Sequence, residues 1–314
     1  MKSNEDASGV PAGESAPGSR AGQRGGVDGA ANPTCALVTS CDVAFVEGAS
    51  ALLMSVRRLH PEVRRYCFVP PGQVAAIGER LGSLAQVRAF PRRIKGVPDD
   101  RLINVGRLFV VAPPEDVSVY MDADVVMCRP APEWWRLQPG KVNAVPDSSR
   151  QVSDNVAGKD RDKFTRQYPE VATRKGFNAG VFGLAPREWP DLAERFEDAL
   201  EAGGYAYSYI IDQPLLNAII QPRVNWLPFG FNAHGLFDNH IPCDVRAVHF
   251  TSSPKPWMKT YPRHEPGYWY WLKYGTPRAG CVRLLAMAAW IAVCSPKRWA
   301  GRRFRIWRNA ASNR

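Results

Sequence analysis

The run Val117-Ser-Val-Tyr-Met121, followed directly by Asp122-Ala-Asp124, is the most informative stretch for the fold. The run is short, apolar and rich in β-branched and aromatic residues, which is typical of a buried strand. Two carboxylates at the end of such a strand repel each other and lose hydration unless a cation neutralises them. A divalent cation bound to a diphosphate would do so. Taken alone, the tripeptide also fits a surface turn, and both interpretations stay open at this point.

Strand-like and helix-like segments alternate on both sides of this run, and this alternation indicates an α/β domain with a mostly parallel central sheet flanked by helices. Ligands of open α/β sheets gather outside the carboxyl ends of the strands, where we expect both Asp122-Ala-Asp124 and His249. The other expected strands are 35–39, 66–69, 142–145, 180–184 and 245–250, and the expected helices are 48–60, 74–84 and 188–202.

Composition and charge divide the 314 residues into three parts. With 45% hydrophobic and 23% charged residues, the chain is neither disordered throughout nor a polytopic membrane protein. The net charge of +11 makes nucleic acid and anionic membranes candidate partners. Residues 266–314 carry ten Lys or Arg and no Asp or Glu, residues 1–33 have a net charge of −1, and 34–265 have only +2. The positive charge therefore belongs to a tail.

We accordingly predict a disordered segment over 1–33, a folded domain over 34–265 and a basic, aromatic tail over 266–314. The seven cysteines are scattered, odd in number and contain no CxxC pair. This pattern predicts neither a zinc site nor a disulfide framework and fits a reducing cytosol. The first residues contain no apolar stretch typical of a secretory signal.

Further polar motifs could act together with the two aspartates. His249 opens the run His249-Phe-Thr-Ser-Ser-Pro-Lys255-Pro-Trp257, in which Lys255 could meet a phosphate. Carboxylates plus one imidazole suit Mn²⁺ better than Ca²⁺, although a hydrogen-bonded structural histidine is the alternative. Phe177-Asn178-Ala-Gly180 is either a turn or an amide before a strand. Asp212-Gln213 is either a helix start or a pair that binds a sugar hydroxyl.

These motifs, in this order, resemble glycosyltransferase family 8, which includes the glycogenin type and the bacterial lipooligosaccharide galactosyltransferase type. The stretch from Val38 to Asp42 and the stretch from Ser55 to Pro61 also resemble the first strand and helix of that family, which bind the nucleotide. The resemblance covers roughly residues 34–262. The motifs that carry it are Asp122-Ala-Asp124, Phe177-Asn178-Ala-Gly180, Asp212-Gln213, Phe231-Asn232, His249-Phe250 and Lys255-Pro-Trp257.

The resemblance implies a GT-A-type fold, a UDP-sugar donor, Mn²⁺ with Mg²⁺ as a replacement, and retention of the anomeric configuration. It implies that Asp122, Asp124 and His249 hold the metal and that Asp212 and Gln213 are the catalytic residues. It also implies a set of donor-binding residues: Thr39, Asp42, Phe45, Arg107, Asp147, Asn178, Asp212, Gln213 and Lys255. Of these, Asp147 is assigned by spacing alone. Ser252 replaces the usual glycine and Phe45 the usual tyrosine; neither change removes a charged group, so an active enzyme is expected.

The expected activity is therefore transfer of glucose or galactose to a glycan or glycolipid acceptor, such as a lipopolysaccharide core. A self-glycosylating, glycogenin-like enzyme is the alternative within the family. A nucleic-acid-binding protein that uses the basic tail and a metal-dependent phosphoesterase are alternatives from other classes. The nearly neutral body and the absence of a nucleic-acid motif argue against the first, and the full set of motifs argues against the second.

The tail itself favours a membrane surface. Its apolar stretch 284–294 has eleven residues, far fewer than the ~20 that span a bilayer. Arginines alternate with Trp, Phe and Ile over 297–308, which suits a helix lying among lipid headgroups, with a solvated charged tail as the alternative. We expect residues 278–308 to bind an anionic membrane, which makes the protein cytoplasmic and peripheral, with no nucleic acid as partner.

Overall fold

A seven-stranded mixed sheet lies at the centre of the computed structural model, which describes residues 33–205, 207, 211–234, 244–263 and 266–275. The segment 1–32 and the chain from 276 onward lie outside the described residues, as do Cys243, Cys281 and Cys294. The disordered segment and the membrane-binding tail therefore stay predictions. The cysteines that the structure describes (Cys35, Cys41, Cys67 and Cys128) are free thiols.

The regular elements follow one another in α/β fashion. The strands are β1 (Cys35–Ser40), β2 (Arg64–Val69), β3 (Gln86–Ala89), β4 (Val117–Met121), β5 (Val125–Met127), β6 (Val142–Pro146), β7 (Phe177–Leu184), β8 (Val224–Trp226) and β9 (Ala247–His249). The helices are α1 (Val46–Leu59), α2 (Val74–Leu81), α3 (Gly158–Gln167), α4 (Pro169–Ala172), α5 (Leu192–Ala202), α6 (Asp212–Ile220) and α7 (Pro266–Gly275). A 3-10 helical segment, Asp99–Val111, precedes β4.

The expected elements are present, with some shifted bounds. β7 begins at Phe177 and not at 180, so the residues Phe177-Asn178-Ala-Gly180 lie inside a strand, not in a turn before it. The helix expected over 188–202 begins only at Leu192 because Pro190 restricts the backbone just before it. The last strand is shorter than expected and spans Ala247–His249.

The strand order of the main sheet is β3-β2-β1-β4-β7-β6-β8. β1 pairs in parallel with β2 and β4, β2 with β3, and β6 with β8. β7 runs antiparallel to both its neighbours, β4 and β6. The mostly parallel sheet is confirmed. Because β7 runs in the opposite direction to β4, the first residues of β7 lie beside the carboxyl end of β4.

Helices cover both faces of this sheet, which explains why β4 and β7 are buried along their whole length. Along β1, Ala36 and Val38 belong to a core cluster that includes residues of α5 and α6. Leu37, between them, belongs to a second cluster with residues of α1 and α2. The strand therefore buries alternate side chains on opposite faces.

A smaller antiparallel sheet, β5 with β9, extends the domain beyond β4. It forms a third apolar cluster with α1 and α7, in which Trp271 is 6% exposed. Arg58 of α1 donates a hydrogen bond to the carbonyl oxygen of Tyr274 at 2.8 Å. The first residues of the predicted tail, 266–275, thus form a helix that packs against α1 and β5, while the division into three parts stays a prediction. None of the described helices is long and apolar enough to cross a bilayer.

Candidate active site

The two aspartates and the histidine singled out from the sequence meet at one point. Asp122 and Asp124 follow the end of β4, and His249 ends β9, where it pairs with Val125. His249 Nε2 lies 3.1 Å from Asp124 Oδ1 and 3.6 Å from Asp122 Oδ2. One ligand atom from each residue falls within 4.8 Å of the others. Two carboxylates and an imidazole that converge in this way can hold a divalent cation.

The hydrogen bonds of His249 support this fit. Asn232 Nδ2 donates to Asn178 Oδ1 at 3.0 Å, so the other end of the amide, Oδ1, faces His249 Nδ1 at 3.1 Å. An amide oxygen only accepts, so the proton of His249 belongs on Nδ1. The lone pair of Nε2 then points at the two aspartates, as a metal-binding histidine requires.

Gly180 provides the space for this cluster. A Cβ built on Gly180 would lie 2.5 Å from Asp122 Oδ2, closer still to His249 Cε1, and 3.1 Å from Asn178 Oδ1. The backbone carbonyl of Gly180 also accepts a hydrogen bond from the Asp122 amide at 2.8 Å. Only a residue without a side chain leaves the predicted metal ligands room at this position of β7.

Lys255 adds a positive charge on the same side. Its Nζ lies 2.5 Å from Asp124 Oδ2 and 2.5 Å from the carbonyl oxygen of Phe250, and the side chain is buried. Burial raises the pKa of Asp124, but His249 and Lys255 outweigh this effect and hold the pKa below its ordinary value. The lysine predicted to meet a pyrophosphate thus lies directly beside a predicted metal ligand.

Arg107 joins the aspartates to the start of α6. Its two Nη atoms lie 3.4 Å from Asp122 Oδ1 and 3.4 Å from Asp212 Oδ2. Burial lowers the pKa of Arg107, but these two carboxylates outweigh it and raise the pKa. Burial also raises the pKa of Asp212, which Arg107 opposes. The guanidinium is therefore a fixed positive charge between the predicted metal site and the predicted sugar pocket.

Asp212 and Gln213 are held by the backbone around them. The Gln213 amide N–H donates to Asp212 Oδ1 at 2.8 Å, and Gln213 Oε1 accepts from the Ala179 amide at 3.0 Å. Asn217, one turn further along α6, bonds to both the N–H and the carbonyl of Phe177. The first turn of α6 is thus fastened to the first residues of β7.

Asp147 and Asn178 meet beside this turn, together with a histidine that the sequence analysis missed. Asn178 Nδ2 donates to Asp147 Oδ1 at 3.1 Å, and His234 Nε2 lies 3.5 Å from the same oxygen. The other oxygen of Asp147 accepts from Ser149 Oγ at 2.6 Å and from Asn155 Nδ2 at 3.0 Å. Burial raises the pKa of Asp147, but these donors outweigh it and hold the pKa well below its ordinary value. No spacing signal in the sequence pointed to His234.

The residues predicted near the nucleobase lie at the end of β1. Thr39 is fully buried, and its hydroxyl has no hydrogen-bond partner among the described residues. Asp42 Oδ1 accepts from the amides of Ala44 and Phe45 and shapes the turn before α1. The Phe45 ring meets Trp257 edge to face at 5.5 Å, and Lys255 Nζ lies 5.9 Å from its centroid.

Residues 113–261 match a family model described as Glycosyl transferase family 8. This segment, a little under half of the chain, is similar to glycosyltransferase family 8. It contains every predicted site residue except Thr39, Asp42, Phe45 and Arg107, which precede it in the chain. The resemblance of the motifs to family 8 is thereby confirmed, and the roles of the individual site residues stay predictions.

Solved structures confirm the GT-A fold. The galactosyltransferase LgtC, in complex with donor and acceptor sugar analogues, aligns over 78% of this chain and 98% of its own, at 18% identity and a TM-score of 0.56. The bifunctional glycosyltransferase WbbM aligns over 72% and 47%, at 16% identity and 0.51. The glycosyltransferase GlyE of Streptococcus pneumoniae TIGR4 aligns over 73% and 57%, at 18% identity and 0.50. No curated protein matches the chain in a sequence search.

Proposed function

We propose that this family 8 chain is a retaining, metal-dependent hexosyltransferase that moves glucose or galactose from a UDP-sugar to a glycan or glycolipid acceptor. The observation that carries the proposal is the convergence of Asp122, Asp124 and His249 beside the buried Arg107–Asp212 pair. The family match and the similarity to LgtC support it.

Mn²⁺ is the proposed ion, held by Asp122, Asp124 and His249, and it would stabilise the negative charge that develops on the leaving UDP. Lys255 contributes a second positive charge that can meet the diphosphate, since its ammonium already lies at the edge of the cluster. Thr39, Asp42 and Phe45 are the proposed nucleobase residues at the end of β1.

Asp212 and Gln213 are the proposed catalytic residues. Asp212 is buried and faces Arg107, which neutralises it and weakens it as a nucleophile. Gln213 has its amide oxygen occupied by Ala179, so it can donate to a sugar only through Nε2. We infer that both residues orient the donor sugar, with Asn178 and Asp147, while the acceptor attacks from the face that the UDP leaves.

The decisive experiment is a titration with a panel of UDP-sugars and Mn²⁺, with hydrolysis and transfer as the measured quantities. We expect UDP-glucose or UDP-galactose to be turned over, and Asp124→Asn to abolish Mn²⁺ binding and turnover together. Asp116→Asn is the control, because Asp116 contacts only Thr34 and Arg187 among the described residues. Wild-type activity in the Asp124 variant would refute the metal assignment.

Two further results would change the proposed reaction. A glycosyl adduct trapped on Asp212 with a fluorinated donor and found by mass spectrometry would refute attack from the same face. Mn²⁺-dependent release of sugar and UDP, with no transfer to any acceptor in a glycan and glycolipid panel, would favour a phosphoesterase. A mass increase of the protein itself would favour self-glycosylation.

We also propose that the enzyme works at the cytoplasmic face of an anionic membrane, on a glycolipid such as a lipopolysaccharide core. The support is the charge of residues 278–308, since each basic residue near an anionic leaflet contributes about 1 kcal/mol. The test is flotation with anionic and neutral vesicles, alongside an RNA gel shift. A full-length variant with Gln in place of the arginines at 302, 303, 305 and 308 should lose vesicle binding. RNA binding without vesicle binding would refute the proposed location.

A further inference from the structure

Asp122, the first predicted metal ligand, is held by a tyrosine of β4, the strand that it follows. The Tyr120 hydroxyl donates to Asp122 Oδ1 at 2.8 Å. The phenol oxygen also lies 3.1 Å from Ser40 Oγ at the end of β1. Tyr120 and Ser40 are both buried, at 1% and 4% exposure. The pair therefore forms a hydrogen-bonded chain behind the metal site, away from solvent.

The direction of these hydrogen bonds follows from chemistry. An ionised carboxylate only accepts, so the single phenolic proton of Tyr120 goes to Asp122. The phenol oxygen is then free to accept, and the one hydroxyl proton of Ser40 can go to it at 3.1 Å or to the carbonyl oxygen of Ile103 at 3.3 Å. The chain runs from Ser40 through Tyr120 to Asp122.

This arrangement determines which oxygen of Asp122 faces the cluster. Oδ1 receives the Tyr120 hydroxyl at 2.8 Å and lies 3.4 Å from Arg107 Nη2. Oδ2 is the oxygen that lies towards His249 Nε2 and next to Gly180. Turning the carboxylate plane away from this orientation would break a buried hydrogen bond to a charged group, so the orientation is held.

Packing alone does not require a tyrosine at this position. The ring of Tyr120 packs against Phe182 at 5.9 Å within an apolar cluster, where a phenylalanine would fill the same space. A buried hydroxyl in such a place is unfavourable unless it forms hydrogen bonds. Gly106 leaves the space that Ser40 occupies, since a Cβ at that position would overlap the serine side chain. The glycine at position 106 therefore leaves the room that the Ser40 side chain needs beside Tyr120.

We propose that Tyr120, supported by Ser40, is a positioning residue for metal binding, which fixes Asp122 with Oδ2 directed at the cation. The inference rests on the proposed function, because it assumes that Asp122 is a metal ligand. Residues that orient metal ligands through hydrogen bonds typically contribute about 10- to 100-fold to metal affinity.

The test measures Mn²⁺ binding to the full-length protein by isothermal titration calorimetry, with thermal unfolding recorded for each variant. We expect Tyr120→Phe to bind Mn²⁺ about 10- to 100-fold more weakly than the wild type. The matched control is Tyr66→Phe, which removes a buried hydroxyl that donates to the Glu115 carboxylate at 2.9 Å on the same sheet. The control variant should bind Mn²⁺ with the affinity of the wild type.

A second variant keeps the test decisive if Tyr120→Phe does not fold. Ser40→Ala removes the hydroxyl that lies between Tyr120 and the Ile103 carbonyl and should weaken Mn²⁺ binding in the same direction, by a smaller factor. Wild-type Mn²⁺ affinity in a folded Tyr120→Phe variant, or an equal loss in Tyr66→Phe, would overturn the proposal. If the wild-type protein itself binds no Mn²⁺, the proposed metal dependence has failed, and the result is distinguishable from failure of the positioning role.

Discussion

Replacing Gly180 by alanine should remove metal binding while the sheet stays folded. The added methyl group would lie 2.5 Å from Asp122 Oδ2, whereas ordinary contact begins at 3.4 Å. Either the carboxylate or the strand must therefore move by about 1 Å, several times the ±0.2 Å that metal–ligand distances tolerate. β7 cannot easily move instead, because the Gly180 carbonyl accepts the Asp122 amide at 2.8 Å.

The magnitude of the effect follows from this overlap. Overfilling a packed site typically costs about 1–3 kcal/mol of folding free energy, which a domain of this size survives. Displacement of one ligand should lower Mn²⁺ affinity by at least about tenfold. Calorimetric titration with Mn²⁺ and thermal unfolding measure the two quantities separately.

Gly183→Ala is the matched control, three residues further along the same strand. Its methyl group would lie 3.1 Å from Val119 Cγ2 and 3.2 Å from the Trp134 carbonyl oxygen, a smaller overlap that involves no predicted metal ligand. The control variant should lose some stability and keep Mn²⁺ affinity. If Gly180→Ala binds Mn²⁺ with an affinity within twofold of the wild type, the predicted steric effect of the methyl group is refuted.

Three further predictions concern the charges and the aromatic cluster around the site. Lys255→Met leaves the buried Asp124 without its ammonium partner, so the free energy of unfolding should fall by about 3 kcal/mol. Added Mn²⁺ should raise the stability of this variant more than that of the wild type, as measured by thermal unfolding. The folded-state pKa of Asp147 lies below its unfolded value of about 3.9. The wild type should therefore be more stable than Asp147→Asn above about pH 5, and this difference in stability should shrink as the pH falls below 4. Urea unfolding measures the difference, and a difference that does not change with pH would contradict the prediction. Trp271→Ala should cost about 3–5 kcal/mol of stability. Because Trp271 packs against Trp257, which contacts Phe45, the variant should also have a higher KM for the donor and an unchanged Mn²⁺ affinity.

Much of the site was predictable because it lies at strand ends. Asp122 and Asp124 follow an unmistakable buried strand, and His249 ends another, so a parallel-sheet rule was enough to expect them at one edge. The pairing of β5 with β9, which brings His249 beside Val125, joins segments more than a hundred residues apart. No local pattern could reveal that pairing, and the expectation that His249 joins the two aspartates at one metal came from the family resemblance.

Other parts of the site depend on tertiary contacts that the sequence does not express. Asn178 and Gly180 have turn propensity, but they lie in β7, which pairs with β4 over 181–184 and with β6 on its other side. Tyr120 occupies one position of an apolar strand, and nothing in its neighbours distinguishes a packing ring from a hydrogen-bonded hydroxyl. His234 reaches Asp147 only because two separate loops meet at the end of the sheet.

The reversed direction of β7 has a consequence for how this enzyme can change. Asn178 and Gly180, which face the proposed donor sugar and metal, belong to a central strand and not to a loop. A loop can exchange residues and lengths freely during evolution, but substitutions in this strand also disturb its two neighbours. Donor preference and sheet stability are therefore tied together here. Selection for a new sugar should find accessible changes first among side chains outside the sheet, such as Ser149 and Asn155, and only later within the strand itself.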